Sequence, residues 1–275
     1  GQFMDVDHLP HTLQPELAFT QGQADTGGVA LADEMLKLIE LHDASNIAAV
    51  IVEPLSGSAG AIIPPQGYLQ RLREICDQHN ILLIFDEVIT GFGRMGRWTG
   101  AEYFGVTPDI LNFAKQITNG AIPMGGVVAS SEIYHTYMSQ ALPEHSVEFG
   151  HGYTYSGHPV ACAAGLATLE MLEKENLIAQ SAELAPVFER ALHNLRDCPN
   201  VIDIRNCGLV GAIQLAPRDG DAVIRPFDAG MALWKAGFYV RFGGDTLQFG
   251  PMFNTRPEEL DRLFDAVGEA LHQTA

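Results

Sequence analysis

The stretch ILLIFDEVITGFGRMGRWTGAEYFGVTPDILNFAKQITNGAIPMGG, residues 81–126, decides how the rest of the chain is interpreted. It contains two apolar runs, ILLIF and DILNFA, and each leads into a glycine-rich segment. The acidic pair Asp86 and Glu87 ends the first run, and Lys115 comes directly after the second. Ligands of parallel α/β sheets gather outside the carboxyl ends of the strands. We therefore expect Asp86 and Lys115 to hold the two ends of one ligand.

Strand and helix patterns alternate around this stretch. The segment NIAAVIVEP, residues 46–54, is a short apolar run that predicts a buried strand ending before Pro54. An amphipathic helix is predicted over residues 68–79, and further strands over residues 109–114 and 124–129. Apolar strands that alternate with helices are typical of a parallel sheet with right-handed crossovers. The sequence thus predicts an α/β fold with a mostly parallel central sheet.

The pattern changes after residue 157. Long helical segments begin at Pro159, and short strands then mix with helices up to the C-terminus, as is typical of an α+β domain. We expect residues 1–157 to form part of a large ligand-binding domain. We expect residues 158–275 to form a long connecting helix and a C-terminal small domain.

Local signals predict two further elements. A helix is expected over residues 29–41, with its first turn capped by Asp25 or Thr26. The segment FYVRF, residues 238–242, predicts a short strand. The chain begins at Gly1 without an initiator Met, so we also expect that part of the natural sequence lies upstream.

The composition limits the classes of partner. A chain of 275 residues that is 47% hydrophobic can bury a large core. Its formal net charge of −18 argues against nucleic acid or an anionic membrane as a partner, because phosphate binding relies on clustered Lys and Arg. The four cysteines have no CxxC spacing, which argues against a metal site and a disulfide framework. Since the sequence has no membrane-length apolar run and no basic-then-apolar leader, we expect a cytoplasmic protein.

Lys115 differs from the other lysines of the chain. Lys37, Lys174 and Lys235 lie in or beside predicted amphipathic helices, where a solvated lysine is ordinary. Lys115 instead follows an apolar run, and a lysine at the carboxyl end of a strand can form a Schiff base with a carbonyl compound. A loop lysine without a role would show the same pattern, so both interpretations stay open for this residue alone.

The acidic pair also has two interpretations. Side chains alternate along a strand, so Asp86 and Val88 should share one face and Glu87 the other. A buried carboxylate in that place needs a cationic or hydrogen-bonding partner. An apolar run ending in Asp-Glu is, however, also typical of P-loop nucleotide-binding proteins, in which the acid holds Mg²⁺. The motif GxxxxGK[ST] that should accompany it is absent from the sequence, which weakens this alternative without excluding it.

Three more polar residues are candidates for the same site. Glu53 ends the predicted strand at residues 46–54, where it is either a site residue or a solvated carboxylate. Thr154 lies in HGYTYSGHP, whose hydroxyls and glycine amides suit a phosphate at the start of a helix. Arg241 precedes a Gly-Gly turn, where it could bind a carboxylate through two hydrogen bonds or form a surface salt bridge.

Taken together, these motifs resemble those of the class III aminotransferases, the pyridoxal-phosphate enzymes of fold type I. The segment IFDEVITGFGRMG, followed by Asp109 and Lys115, is similar to the signature of that family. EPLSGSAG, HGYTYSGHP and GDTLQFGP extend the resemblance over nearly the whole chain. Several motifs in the same order are more specific than any one of them. They look most similar to the omega-amino acid–pyruvate (beta-alanine–pyruvate) subgroup.

The resemblance implies a transaminase that moves an amino group from a small amino donor, an omega-amino acid or amine, to pyruvate or another 2-oxo acid. Pyridoxal 5'-phosphate would be the cofactor, with Lys115 as its Schiff-base lysine and as the general acid and base. Asp86 would pair with the pyridine nitrogen. Val88 would pack beneath the cofactor ring, with Glu53 at the ring edge.

The resemblance also implies partners, and the chain departs from the pattern of some relatives. Thr154 would bind the cofactor phosphate of a neighbouring subunit, which implies a homodimer that could assemble into a tetramer as a dimer of dimers. Arg241 would bind the substrate carboxylate. Relatives specialised for ornithine, acetylornithine or 4-aminobutyrate carry an arginine in place of Gln248, which disfavours those substrates here. The phosphate loop of the family is expected upstream of Gly1, so an inactive aminotransferase fragment is a further alternative.

Overall fold

The computed structural model describes residues 5–140 and 143–275. Within these residues the chain forms two four-stranded sheets with helices packed around them. The elements of the first half are, in chain order, α1 (Gly28–His42), β1 (Ala49–Val52), α2 (Tyr68–His79), β2 (Leu82–Asp86), α3 (Gly100–Phe104), β3 (Ile110–Phe113), β4 (Gly126–Ala129) and α4 (Ser131–Met138). Those of the second half are α5 (Pro159–Lys174), α6 (Leu177–His193), β5 (Val201–Cys207), β6 (Val210–Leu215), α7 (Ile224–Lys235), β7 (Arg241–Gly243), β8 (Thr246–Phe249) and α8 (Pro257–Gln273).

The first sheet has the strand order β1-β2-β3-β4. β2 pairs in parallel with β1 and with β3, whereas β4 joins β3 in an antiparallel pair. The apolar face of α2 covers this sheet, so Leu72 and Ile75 lie in one buried cluster with Leu83 and Phe85 of β2. The predicted α/β fold with a mostly parallel sheet is confirmed, and α2 has the predicted bounds.

The second sheet is antiparallel throughout and has the order β5-β6-β8-β7. Helices α6, α7 and α8 cover it, and Phe188, Leu233 and Phe264 from these helices share its buried cluster with Ile213 and Leu247. This region has the α+β character expected of a C-terminal small domain. None of the described helices is both long enough and apolar enough to cross a membrane.

Two local predictions are wrong. Helix α1 is not capped by Asp25 or Thr26: its N-cap is Gly27, in the left-handed conformation at φ 88°, without a side-chain cap. The cause is close packing, because a Cβ on Gly28 would lie 2.1 Å from the carbonyl oxygen of Gln66.

The strand predicted over residues 238–242 is shorter than expected and begins at Arg241. The Phe238 N–H donates 2.9 Å to the Leu233 carbonyl and so belongs to the end of α7. Gly237, at φ 91°, turns the chain there. A backbone group that closes a helix is not free to pair with a neighbouring strand.

The N-terminal lead-in joins the two halves. The Gly22 N–H donates 3.1 Å to the Asn206 carbonyl on β5, and Gln21 forms a parallel bridge with Asn206. Cys207, Val210 and Ala212 of the second sheet also belong to the buried cluster around β2. The carboxyl ends of the parallel strands therefore lie in a framework to which both sheets contribute.

Candidate active site

Lys115 follows the end of β3 after one intervening residue. It begins a single 3₁₀ turn, Lys115–Thr118, and its backbone has φ 49°. A non-glycine residue in the left-handed region costs on the order of 1 kcal/mol, and such strain clusters at functional sites. Ile117 and Thr118 of this turn are buried, while Lys115 is exposed. The turn thus presents one amine at the end of the parallel sheet.

Asp86 is the last residue of the neighbouring strand β2. Its register partner on β3 is Asn112, three residues before Lys115. The carboxylate is half-buried, and its Oδ1 accepts one hydrogen bond of 3.1 Å from the Val88 N–H. Parallel pairing of β2 with β3 brings Asp86 and Lys115 to the same edge of the sheet, as predicted for the ends of such strands.

Glu53 follows β1, the next strand along, and completes a row of three charged residues. Burial raises the pKa of Glu53, and the negative charge of Asp86 raises it further. The Gly57 N–H and the positive charge of Lys115 act in the opposite direction and lower that pKa. The charges of Asp86 and Lys115 therefore both act on Glu53, although the three residues follow or end three separate strands.

The three residues of this row are not joined by ion pairs. Among residues 5–140 and 143–275, no ion pair within 4 Å involves Glu53, Asp86 or Lys115. A half-buried carboxylate is costly unless a partner neutralises it. A free amine beside such a carboxylate suits a ligand that has a carbonyl group at one end and a basic ring nitrogen at the other.

The end of β2 differs in one respect from the sequence expectation. The strand stops at Asp86, so Val88 lies in a turn rather than on a strand face, and it is half-buried. Glu87 is fully buried, and its carboxylate accepts hydrogen bonds from the backbone N–H groups of Gly100 and Ala101 and from the Thr90 hydroxyl. It caps the first turn of α3 and is not available to activate a water molecule.

Thr154 is not bonded to this row. It is exposed, in a turn closed by the Ser156 N–H donating 3.0 Å to the Tyr153 carbonyl. Within the described residues, no hydrogen bond or ion pair joins it to Asp86 or Lys115. The aromatic residues on either side of it are among the most exposed large hydrophobic residues of the described chain, 79% for Tyr153 and 80% for Tyr155.

Arg241 is the first residue of β7, and its side chain is exposed. It lies opposite Gln248 in the antiparallel pair of β7 and β8. The Gln248 Nε2 donates 3.2 Å to the carbonyl of Ser58, in the loop that follows Glu53. The sheet that carries Arg241 therefore contacts the loop beside the charged row.

The sequence patterns did not single out two arginines, half-buried Arg94 and buried Arg205. Arg94 donates 2.6 Å to the Pro251 carbonyl and lies 4.8 Å from the centre of the Phe253 ring, and burial lowers its pKa to about 10. Arg205 forms an ion pair with Asp203 inside the second sheet. The available signal was the alternation in VIDIRNC, which sets Asp203 and Arg205 on one face of the strand.

The small cavity nearest to Arg205 is not a cofactor site. It has a volume of about 40 Å³ and is lined in part by Thr20, Ile62, Asp203 and Arg205. That space holds one or two water molecules. The open edge of the first sheet, with its uncompensated charges, is the better candidate for a larger ligand.

Comparisons with known proteins show what the chain as a whole is similar to. Residues 6–271 match the family model of the class-III aminotransferases. The chain is 78% identical over 275 residues to the beta-alanine–pyruvate aminotransferase of Pseudomonas aeruginosa and covers 61% of it. It is 71% identical over 274 residues to the omega-amino acid–pyruvate aminotransferase of Pseudomonas putida, covering 99% of this chain and 61% of that relative.

A solved structure has the same fold. The thermostable (S)-enantioselective omega-transaminase from Thermomicrobium roseum superposes with a TM-score of 0.83 at 36% identity, over 90% of this chain and 56% of its own. The chain thus spans about three-fifths of the length of the curated relatives it matches. Proteins of this family depend on pyridoxal phosphate, so the P-loop nucleotide-binding alternative is wrong. The fold, the matched residues and the relatives agree that this chain belongs to the class-III aminotransferase family.

Proposed function

We propose that the natural protein containing this chain is a pyridoxal-phosphate-dependent transaminase. It would move an amino group from an omega-amino acid or amine of the beta-alanine type to pyruvate or another 2-oxo acid. The observation that supports this most directly is the row of Asp86, Lys115 and Glu53, whose charges find no ion-pair partner among the described residues.

The residues of the row fit the cofactor chemically. When bound, pyridoxal phosphate supplies an electron sink for negative charge that develops on the substrate carbon. Lys115 would hold the aldehyde end of the cofactor through Nζ. After release from that bond, its free amine would take a proton from one carbon and return it to another. Asp86 would hold the proton on the pyridine nitrogen, because an adjacent carboxylate favours the charged form of a base.

Val88 and Glu53 would complete the cofactor side. Val88 is fixed by its hydrogen bond to Asp86, and its apolar side chain would pack against one face of the ring. Glu53 would lie at the ring edge, where a raised pKa makes its carboxyl easier to protonate. Both roles depend on Asp86, which contacts Val88 directly and acts on Glu53 through its charge.

Arg241 would bind the substrate carboxylate. Its exposed guanidinium has no ion-pair partner within the part of the chain that the structure describes, so it is free to pair with an acid. Arginine matches a carboxylate through two parallel hydrogen bonds. Neutral Gln248 opposite it adds no second positive charge. A donor with one carboxylate, such as a beta-alanine-like compound, suits this arrangement better than a dicarboxylate does.

The aromatic segment around Thr154 supports a homodimer. Tyr137 and Phe149 form an edge-to-face pair with ring centres 5.0 Å apart, and Tyr153 and Tyr155 continue an exposed apolar patch. Such patches mark protein interfaces. A second copy packed here would bring the Thr154 hydroxyl towards the cofactor phosphate of its neighbour. Sedimentation of the natural protein tests this: replacing Tyr153 and Tyr155 by Ser should shift a dimer, or a tetramer built from dimers, towards monomer.

Two further proposals concern organisation and location. We propose a domain boundary between residues 157 and 158, with α5 as the connecting helix. Packing of α5 on the Lys115 turn is consistent with this role, since a Cβ on Gly165 would lie 3.7 Å from the Ile117 carbonyl oxygen. We also propose a cytoplasmic location, which a fluorescent fusion in living cells would test.

A trapping experiment tests the proposed function. The natural protein is mixed with pyridoxal phosphate, reduced with borohydride and digested, and the modified lysine is identified by mass spectrometry. We expect an absorption band at the edge of the visible range before reduction and a single modified residue, Lys115. Lys115→Ala should lose both, whereas Lys174→Ala, at an exposed helical lysine, should lose neither. Modification spread over several lysines, or a band that persists in Lys115→Ala, would refute the proposal.

A further inference from the structure

The loop after Glu53 is held against the second sheet at a very short distance. Gly60 has φ 108°, a conformation that side-chain-bearing residues rarely adopt. A Cβ there would lie 3.2 Å from Thr246 Cγ2 and 3.3 Å from Arg205 Nη2. Glycine therefore lets the backbone of this loop come close to β5 and β8.

Arg205 makes the contact that holds this loop. Its Nε and Nη2 donate to the Gly60 carbonyl at 3.2 and 2.9 Å. Its Nη1 donates to the Asp203 carboxylate and, at 2.7 Å, to the Gln214 Oε1. The Arg205 side chain is only 9% exposed, so these bonds are shielded from water. The planar guanidinium makes four hydrogen bonds here, whereas a lysine ammonium has only three donors, all on one nitrogen.

The same loop and sheet carry the residues proposed for the site. The loop begins directly after Glu53. Further along it, Ser58 is tied to β8 through Gln248, and Gly60 is tied to β5 through Arg205. Arg241 lies opposite Gln248 on the next strand. The loop backbone, these hydrogen bonds and the strand pairing thus link Glu53 with Arg241.

We propose that Arg205 is a positioning residue that sets where the substrate-carboxylate ligand Arg241 stands relative to Glu53 and the cofactor. This inference rests on the proposed function. Arg205 itself touches neither substrate nor cofactor in this scheme, and its charge is balanced by Asp203. Its effect is geometric, since loss of the Gly60 contact lets the second sheet and the loop move apart.

The test compares a carboxylate ligand with its uncharged analogue on the cofactor-loaded natural protein. Propionate and propionamide are titrated while the cofactor absorption is followed, for the wild type, Arg205→Met and Arg205→Lys. Misplacement of a substrate-positioning group by about 1 Å can lower a reaction rate roughly a hundredfold. We expect propionate to bind ten- to a hundredfold more weakly in Arg205→Met, with a smaller loss in Arg205→Lys and unchanged binding of propionamide. The KM of carboxylated donors should rise more than that of amines without a carboxylate.

A matched control separates positioning from general destabilisation. Arg218 also forms an ion pair in the second half, with Asp228 at 2.6 Å, but does not contact the Gly60 loop. Arg218→Met should lower the melting temperature without changing the preference for propionate over propionamide. If Arg205→Met does not fold, Arg205→Lys, which keeps the cation beside Asp203, decides the question.

The outcomes distinguish two kinds of failure. Three results would overturn the positioning role. The first is equal weakening of propionate and propionamide binding, and the second is the same loss of propionate binding in Arg218→Met. The third is wild-type propionate affinity in both Arg205 variants. Failure of the wild type to take up pyridoxal phosphate would instead overturn the proposed function, and the inference with it.

Discussion

Two groups of charged residues differ in how their charges are paired. One group lies at the edge of the first sheet and the other inside the second sheet. At the edge, Asp86 and Lys115 have no ion-pair partner among the described residues, and Lys115 has a strained backbone. Inside the second sheet, Arg205 is paired with Asp203 and bonded to Gln214 and Gly60. Burial makes uncompensated charge costly. A group that the chain leaves unpaired is therefore a candidate to meet a ligand, whereas a fully paired group holds elements together.

The largest effect is expected at the unpaired edge. Lys115→Gly should reduce transamination about a thousandfold or more, because the amine that moves the proton is lost. The free energy of unfolding should not fall, since glycine adopts φ 49° without strain. Initial rates and urea unfolding of the apoprotein measure the two quantities. A clear loss of stability would show that Lys115 also holds the fold, and the contrast between the two groups would fail.

The next largest effect is expected inside the second sheet. Asp203→Ala should lower the free energy of unfolding by about 3 kcal/mol, because it leaves the Arg205 guanidinium buried without its partner. Adding Arg205→Met to that variant should recover part of the loss, since no unpaired charge then remains. Urea unfolding of the two single variants and the double variant gives the interaction energy between Asp203 and Arg205. Simple additivity of the two single losses would contradict this interpretation.

A smaller effect that depends on pH is expected at Glu87. Glu87→Gln should cost about 1–2 kcal/mol, because the amide has one acceptor oxygen and its NH2 group would face hydrogen-bond donors that now reach the second oxygen. Burial raises the pKa of Glu87 in the folded protein. Its titration therefore contributes stability below the unfolded pKa, and this contribution is lost as pH rises through the folded value.

The pH dependence can be measured against the variant itself. Glutamine does not titrate, so the advantage of the wild type over Glu87→Gln should be greatest in acid and should shrink as the pH rises. Urea unfolding from about pH 4 to about pH 8 follows this difference. If the stability advantage of the wild type grew with pH instead, the three hydrogen bonds to the Glu87 carboxylate would outweigh the cost of burying its charge.

The smallest effect is expected for an exposed pair. Lys174 and Glu170 are 2.8 Å apart on α5 with most of both side chains in water. Glu170→Ala should change the free energy of unfolding by no more than about 0.5 kcal/mol. The difference between this loss of stability and that of Asp203→Ala measures how much burial adds to the contribution of an ion pair. Similar losses in the two variants would show that burial does not distinguish them.

Much of the fold could be predicted from local patterns. The apolar runs that became β1, β2 and β3 and the amphipathic pattern of α2 depend on neighbours along the chain, and so does the position of Lys115 after a strand. The cap of α1 could not be predicted, because Gly28 is required by close contact with the backbone of Gln66, far away in sequence. The shortened β7 likewise depends on how α7 ends.

The sequence by itself determined the chemistry: an amine after one strand, carboxylates after two others, and motifs in an order that indicated the family. Only the tertiary structure decided which charges are left uncompensated. Glu87 stands next to Asp86 in the sequence, yet backbone donors of α3 bind its carboxylate, while that of Asp86 accepts one hydrogen bond. The physical reason is that pairing depends on distances in space. The contact of Arg205 with Gly60 joins residues 145 positions apart, and no local pattern encodes it.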